Sequence, residues 1–198
     1  MTVIGLTGNI GAGKSLVREI LVELGAQAID ADLIAKELSE PGRPAYEQIK
    51  LAFGSRYFAQ DGALERRFLG ELVFSRREAR LLLNEIMHPL ILREAGERLQ
   101  ALKKAGAGLI VVEAALLPEI GLGGLADEVW LVEAPDEEKI ARVCQRDGLN
   151  PEEAARRLDT QMTEAQTRPL AKRIINNSGS VEQLREIVTS LFNELSAT

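Results

Sequence analysis

Eight consecutive residues near the amino end have the types and spacing of a phosphate-binding loop. They follow the pattern GxxxxGK closed by a serine, in the order Gly8-Asn9-Ile10-Gly11-Ala12-Gly13-Lys14-Ser15. The backbone N–H groups of such a loop converge on phosphate oxygens, and glycines allow the close approach. Lys14 would reach the terminal phosphates of a nucleoside triphosphate, and the Ser15 hydroxyl would bind a bridging magnesium ion. The alternative is a plain glycine-rich turn with an exposed lysine.

Two elements must hold this loop, and the flanking sequence predicts both. Residues 2–6 are a short apolar run typical of a strand. After Gly13, apolar residues recur at helical spacing until Gly25, which is a typical helix stop. A strand, a glycine-rich loop and a helix in this order are the context that a phosphate-binding motif requires. We therefore expect the phosphates to contact Gly8, Gly11, Ala12, Gly13, Lys14 and Ser15.

The rest of the chain alternates between strand-like and helix-like segments. Four more β-type runs occur at residues 26–29, 109–112, 128–132 and 173–175. This alternation predicts an α/β fold, a doubly wound five-stranded parallel sheet of the P-loop NTPase type. The core would comprise residues 1–32, 108–135 and 170–198. Residues 33–107 would form an all-helical insertion, with helix breaks that include Pro89, and residues 136–169 a second helical segment.

Helix starts are marked by local capping patterns. Capping boxes are predicted at Ser75 with Glu78 and at Ser180 with Gln183, and another helix start is predicted at Asn150 before a proline.

An acidic residue after the second strand is a candidate catalytic base. The run Asp30-Ala31-Asp32 places carboxylates at the carboxyl edge of the sheet, beside the phosphate loop. Asp32 could accept the proton of an attacking hydroxyl, or it could cap the helix that starts near Leu33. Glu113, after the third strand, is equally a candidate for holding a metal-bound water and an ordinary sheet-edge residue. The Asn-Lys-x-Asp motif of GTPases does not occur in the sequence.

Composition narrows the class of protein. The chain has 198 residues, 45% of them hydrophobic, and its net charge of −6 argues against a broad nucleic-acid surface. One cysteine, Cys144, and one histidine, His88, exclude a disulfide framework and leave too few ligands for a structural zinc site. No apolar run approaches the length of a membrane span, and no basic leader precedes the first strand. We expect a cytoplasmic enzyme, a monomer or weak homo-oligomer, with neither nucleic acid nor membrane as a partner.

Taken together, the motifs resemble those of the dephospho-CoA kinase family almost from end to end. The residues that carry the resemblance include Ile4-Gly5-Leu6-Thr7-Gly8, Ile29-Asp30-Ala31-Asp32, Pro41-Gly42, Asp61-Gly62, His88-Pro89, Arg146-Asp147-Gly148-Leu149, Gln161, and Asn177 with Gly179. The resemblance implies transfer of the γ-phosphoryl group of ATP, with Mg²⁺, to the ribose 3′-hydroxyl of dephospho-CoA. It also implies that residues 33–107 bind this acceptor and that residues 136–169 form a lid.

The same resemblance implies roles for single residues. Asp32 would activate the 3′-hydroxyl, and Lys14 and Arg142 would stabilise the transferring phosphoryl group. Arg146 would face the phosphates from the lid, and Asn177 would lie at the adenine. Arg66 and His88 would bind the acceptor. From the residues alone, Arg142 and Arg146 also fit a solvated helix face, and the segment at Asn177 fits an ordinary turn.

Several positions depart from the family pattern. Leu16, at the ATP site, stands where the family usually has Thr, so the chain lacks a side-chain hydroxyl that could contact the α-phosphate. Ala115, Lys139, Lys172 and Glu65 also differ from the usual residues. Two alternatives remain open: another P-loop small-molecule kinase, for example of nucleoside monophosphates, and a non-catalytic nucleotide-binding module.

Overall fold

Five parallel strands form one sheet in a computed structural model that describes residues 1–196. The strands are β1 (Thr2–Thr7), β2 (Gln27–Asp30), β3 (Leu109–Glu113), β4 (Glu128–Glu133) and β5 (Arg173–Asn176). Their order across the sheet is β2-β3-β1-β4-β5. The predicted fold class is confirmed, and each predicted strand is found within one or two residues of its expected bounds.

The chain divides into two compact units. The first comprises residues Met1–Asp30 and the residues from Arg98 onward, and the second comprises Ala31–Glu97. Ten helices are found in residues 1–196: α1 (Lys14–Glu23), α2 (Ala31–Leu38), α3 (Pro44–Phe53), α4 (Arg66–Ser75), α5 (Arg77–Lys104), α6 (Leu117–Ile120), α7 (Asp136–Asp147), α8 (Pro151–Asp159), α9 (Glu164–Thr167) and α10 (Val181–Ser196). None of these helices combines the length and apolar character needed to cross a bilayer.

The central strand of the first unit is β1, which pairs with both β3 and β4. Apolar side chains cover both faces of such a strand, so its sequence is a continuous hydrophobic run rather than an alternating one. Its core includes Leu6, Val17, Trp130 and Val188, each at most 1% exposed. Because β1 is held on both sides, the loop that follows it has a rigid base.

Two of the predicted capping patterns are present in this unit. The Asn150 side chain accepts from the Glu153 N–H at 2.9 Å and opens α8, and Gln183 and Ser180 bond reciprocally at the start of α10. Lys172, one of the departures from the family pattern, forms an ion pair in this unit. Lys172 lies 2.6 Å from the buried carboxylate of Glu128, so its charge is paired within the sheet edge.

The second unit is helical and has its own core. Ile34, Tyr46, Ile49 and Leu69 are buried there. The Tyr46 hydroxyl donates to the Gly62 carbonyl at 2.7 Å, which ties α3 to the turn that follows it. The only β-type pairing described in this unit is a single antiparallel bridge between residues 58 and 64.

Two local predictions about this unit are wrong. Pro89 does not break the helix, because α5 runs through this residue without interruption. A proline inside a helix costs about 3 kcal/mol, and the buried residues Met87 and Ile91 on either side of it offset that cost. The capping box at Ser75 is also absent. Ser75 ends α4, and its hydroxyl donates to the Leu72 carbonyl at 3.0 Å.

Candidate active site

The phosphate loop takes a shape that only glycine permits at three positions. Gly8, Gly11 and Gly13 have φ values of 146°, 78° and 98°. A Cβ atom on Gly8 would lie 2.3 Å from the Val132 carbonyl oxygen, and one on Gly11 would lie 2.4 Å from the Lys139 carbonyl oxygen. Both distances are far inside van der Waals contact with backbone atoms. The loop therefore packs directly on β4 and α7, and its glycines are needed for space as well as for conformation.

Gly11→Ala is expected to damage the loop. The strained backbone alone costs about 1 to 3 kcal/mol, and the clash with Lys139 adds to that cost. We expect a lower free energy of unfolding, measured by the fluorescence of Trp130, the only tryptophan in the chain, and weaker ADP binding in calorimetry. Gly96→Ala is the matched control, because Gly96 lies within α5 with open space around its Cα. Wild-type stability and ADP affinity for Gly11→Ala would contradict the loop geometry.

Lys14 is held against the loop rather than extended into solvent. Only 8% of the residue is exposed, and its ammonium group donates to the carbonyls of Gly8 at 2.8 Å and Asn9 at 3.3 Å. The alternative of an exposed lysine on a plain turn is therefore not what the structure shows. The ammonium group lies within the curve of the loop, where an anionic ligand would meet it.

Ser15 contacts an acidic residue from the neighbouring strand. Its hydroxyl donates to Oε1 of Glu113 at 3.0 Å. Oε2 of the same carboxylate lies 2.9 Å from Nε of Arg18, and Nη1 of Arg18 donates to Oδ2 of Asp30 at 3.1 Å. The Arg18–Glu113 contact is a close ion pair without hydrogen-bond alignment. Ser15, Arg18, Asp30 and Glu113 thus form one polar cluster at the carboxyl edge of the sheet, which we call the edge cluster.

Burial controls the electrostatics of the edge cluster. Only 4% of Glu113 is exposed, and this burial raises the pKa of its carboxyl above the ordinary value. The charges of Arg18 and Lys14 and the bond from Ser15 act in the opposite direction, and the charge of Asp30 adds to the rise. A hydroxyl and two carboxylates are the hard oxygen groups that magnesium prefers, so the edge cluster fits the predicted ion.

A cation here would also need oxygen ligands from the nucleotide. Within residues 1–196, no three His, Cys, Asp or Glu side chains are grouped to hold a metal ion. Magnesium commonly binds through one or two protein groups together with substrate phosphates. The surroundings of Ser15 suit that mode of binding.

Arg142 and Asn177 hold the loop from its other side. Arg142 donates to the Gly11 carbonyl at 3.3 Å, to the Asn177 carbonyl at 2.9 Å and to the Glu138 carboxylate at 2.7 Å. The buried side-chain amide of Asn177 donates to the Ala12 carbonyl at 2.8 Å. Arg142 is therefore paired with Glu138, as a residue of a helix face would be, and also contacts the phosphate loop.

Other residues near the loop have contacts of different kinds. The N–H of Ile10 donates to Oε1 of Gln161 at 2.7 Å, which joins the loop to the segment after α8. The guanidinium of Arg146 bonds to the Asp147 carboxylate at 2.7 and 3.0 Å. Leu16 is partly buried and packs against the core.

A cavity of about 380 Å³ lies beside Asn177, lined by Asn176, Ser178, Gly179, Gln183, Leu184, Glu186 and Ile187.

Two predicted residues of the second unit belong to α2 or contact it. Asp32 is exposed and belongs to the first turn of this helix. The helix begins at Ala31, so Asp32 is not the residue that precedes it. Arg66 donates to the Lys36 carbonyl at 2.7 Å and to the Ser39 hydroxyl at 2.8 Å. Burial lowers the pKa of the Arg66 guanidinium, yet it stays charged at neutral pH because arginine starts from a very high value. Arg66 therefore holds the carboxyl end of the helix that carries Asp32.

His88 is half-buried in α5, and this burial lowers the pKa of its imidazole. A lower pKa in the folded state means that the unfolded chain binds the proton first as the pH falls. As the pH falls from the ordinary histidine pKa to the lower folded value, the free energy of unfolding should therefore decrease. At higher pH this histidine leaves the free energy of unfolding unchanged. Because His88 is the only histidine, one imidazole signal in an NMR titration measures the folded value. A midpoint at or above that of the urea-unfolded chain would contradict this expectation.

The fold and this loop define the class of P-loop nucleotide-binding proteins. Comparison with known proteins identifies the family. A model of the dephospho-CoA kinase family matches residues 2–183. The chain therefore belongs to the dephospho-CoA kinase family.

Individual relatives agree with the family match. A dephospho-CoA kinase from Moorella thermoacetica is 43% identical over 196 residues, which cover 98% of this chain and 92% of that protein. A crystal structure of a Thermus thermophilus protein is similar with a TM-score of 0.80 at 36% identity, covering 98% of this chain and 97% of the other. The dephospho-CoA kinase from Campylobacter jejuni gives 0.71 at 31% identity, with the same coverage of both chains. The predicted family, enzyme class and reaction, ATP-dependent phosphorylation of dephospho-CoA, are confirmed.

Two contacts of the site were not predicted from the sequence. Arg18 lies three residues after Ser15, so both face the same side of α1. That spacing was the one available signal, and it does not tell a bridging arginine from a solvated one. Gln161 belongs to the motif series that carried the resemblance, but nothing in its surroundings indicated a bond to Ile10.

Proposed function

We propose how the residues of this chain carry out the phosphorylation of dephospho-CoA. The observation that supports the proposal most directly is the phosphate loop, because its three glycines, the inward Lys14 and the start of α1 together form an anion site. ATP binds with its phosphates on this loop. Lys14 leaves the carbonyls of Gly8 and Asn9 and donates to phosphate oxygens instead. It then neutralises charge on the group that is transferred.

Ser15 is the residue that would hold magnesium, and Glu113 is the residue that would orient its hydroxyl. When bound, the ion neutralises charge on the phosphates and fixes their geometry. The Ser15 hydroxyl donates its proton to Glu113 at 3.0 Å, which leaves oxygen lone pairs available to a cation. Arg142 contacts the Gly11 carbonyl and is placed to add positive charge over the loop as negative charge spreads on the phosphoryl oxygens.

Asp32 is proposed as the base for the acceptor. The ribose 3′-oxygen forms a bond to the γ-phosphorus while the bond from that phosphorus to the bridging oxygen of ADP breaks. The proton of the 3′-hydroxyl passes to the Asp32 carboxylate. Asp32 suits this role because its side chain is exposed, and because Arg66 holds the far end of its helix in place.

The remaining roles rest on the family pattern. Residues 33–107 bind the acceptor, with His88 and Arg66 among its contacts, and residues 136–169 act as the lid that carries Arg142 and Arg146. Asn177 contributes to the adenine site, next to the open cleft lined by its neighbours Asn176 and Ser178. The cytoplasmic location and the monomeric or weakly oligomeric state stay predictions.

A product assay tests the reaction. The purified chain is given magnesium and ATP with dephospho-CoA, with a nucleoside monophosphate, or with no acceptor. We expect ADP release to depend on dephospho-CoA, and the mass of this acceptor to rise by one phosphate group. Preferred phosphorylation of the monophosphate would indicate another small-molecule kinase. Nucleotide binding without ADP release from any acceptor would indicate a non-catalytic module.

A further inference from the structure

The guanidinium of Arg18 lies between two carboxylates that belong to neighbouring strands. Asp30 ends β2 and Glu113 ends β3, and the two residues are direct partners in the parallel pairing. Neighbouring strands are about 4.8 Å apart, so two negative charges meet at the edge of the sheet. Glu113 is almost fully buried, which means that water does little to screen their repulsion.

Arg18 contacts both carboxylates with different nitrogens. Its Nε is 2.9 Å from Oε2 of Glu113, and its Nη1 is 3.1 Å from Oδ2 of Asp30. A planar guanidinium presents several donors in a fixed arrangement, whereas an ammonium is a single point of charge. One arginine can therefore hold two carboxylates at a defined separation, here through a hydrogen bond to Asp30 and an ion pair with Glu113. The side chains of Arg18 and Asp30 are 23% and 25% exposed, so the group is partly shielded from solvent.

The consequence for Ser15 follows from which oxygen Arg18 occupies. Arg18 takes Oε2 of Glu113, and Oε1 of the same carboxylate accepts the Ser15 hydroxyl at 3.0 Å. A serine hydroxyl has one proton and two lone pairs. With its proton directed to Glu113, the lone pairs of Ser15 are turned away from that carboxylate. Groups that orient a metal ligand in this way are often as important as the ligand itself.

We propose that Arg18 is a positioning residue for the phosphoryl transfer: by bridging Asp30 and Glu113 it keeps Glu113 aligned to accept the Ser15 proton, and so sets the orientation in which Ser15 meets magnesium. The proposal rests on the proposed roles of Ser15 and Glu113. Arg18 itself contacts no reacting atom. Removing Arg18 leaves the carboxylates of Asp30 and Glu113 facing each other without the guanidinium between them, and Glu113 then turns away from Ser15.

Calorimetry of ADP binding, without acceptor or turnover, tests this role. Arg18→Met is titrated with ADP at increasing magnesium concentrations and also in EDTA. We expect the magnesium concentration for half-maximal strengthening of ADP binding to rise about 10- to 100-fold, with a far smaller change in EDTA. Arg185→Met is the control, because Arg185 forms an ion pair with Glu23 outside the edge cluster. The control is expected to keep the wild-type magnesium dependence.

A double variant separates the positioning role from simple loss of stability. Arg18→Met with Asp30→Asn removes the bridge and also one of the two charges that it separates, so Glu113 no longer has a facing carboxylate. We expect this variant to recover most of the magnesium dependence, and its folding is checked by Trp130 fluorescence. The double variant also takes the place of Arg18→Met in the titration if that single variant does not fold.

Two outcomes would overturn the proposal. One is an unchanged or lower magnesium requirement in Arg18→Met, which would mean that the edge cluster meets the ion equally well without the guanidinium. The other is a double variant that folds but does not recover. Neither depends on dephospho-CoA, so a failure of the proposed reaction would be seen separately, in the wild-type product assay.

Discussion

Asp32→Asn is expected to lower kcat for dephospho-CoA phosphorylation by about 10²- to 10⁴-fold, the contribution that a positioned general base makes. The amide keeps the size and shape of the side chain but does not take up the proton of the 3′-hydroxyl. ATP binding should remain near the wild-type value, because the phosphates contact the loop at residues 8–15. The measurement is kcat from the coupled ADP assay, with ADP affinity from calorimetry on the same preparation.

The control for Asp32 is another acid in the first turn of a helix. Glu47 is exposed at that position of α3, in the same unit. Glu47→Gln removes the same favourable interaction with the helix dipole, worth about 0.3 to 1 kcal/mol, without removing the proposed base. We expect its kcat to be unchanged. If Asp32→Asn behaved in the same way, the assignment of Asp32 as the base would be wrong.

Lys14→Met should lower kcat/KM for ATP by about 10²- to 10³-fold, the usual effect of removing one group that stabilises transition-state charge. Methionine has a similar length and keeps the apolar part of the side chain, but it carries no charge and donates no proton. Part of the loss should fall on kcat, because the charge on the transferring group is greatest in the transition state. The measurement is steady-state kinetics with ATP as the varied substrate.

Lys14 also has a structural contact, and the test must separate the two effects. In the structure its ammonium group bonds to the Gly8 and Asn9 carbonyls, so its loss loosens the loop. Unfolding followed by Trp130 fluorescence measures that change independently of turnover. Lys104→Met, at the exposed end of α5, is the matched control and should alter neither quantity. An active Lys14→Met variant would exclude its proposed role in transfer.

The parts of the fold that could be predicted are those fixed by neighbouring residues. The phosphate loop is a contiguous motif, and its glycines are required by the φ values and close contacts found at Gly8 and Gly11. The three inner strands β1, β3 and β4 were predicted because a parallel sheet covered on both faces makes such strands nearly continuous apolar runs. Capping at Asn150 and Ser180 involves residues only three positions apart, so the pattern was visible in the sequence.

What the sequence could not predict depends on distant pairing or on packing. Arg18 is a bridge only because β2 pairs with β3 in the register that sets Asp30 beside Glu113. That register was not known before the structure. Pro89 was predicted to break the helix from its local preference, but the burial of Met87 and Ile91 outweighed that preference. The role of Asp32 stays a prediction, because its chemistry depends on an acceptor.

Two contacts of the phosphate loop come from residues far along the chain, and this has a consequence for synthesis of the protein. Ile10 is bonded by Gln161 and Ala12 by Asn177, at separations of 151 and 165 residues. During synthesis the loop is translated before both partners, so the bond to Ile10 cannot form until Gln161 has been added, and the bond to Ala12 cannot form until Asn177 has been added. The strand that carries the loop must likewise wait for β3 and β4. A nascent chain therefore completes these contacts of its nucleotide site only after Asn177 has been made, 165 residues after the Ala12 to which it bonds.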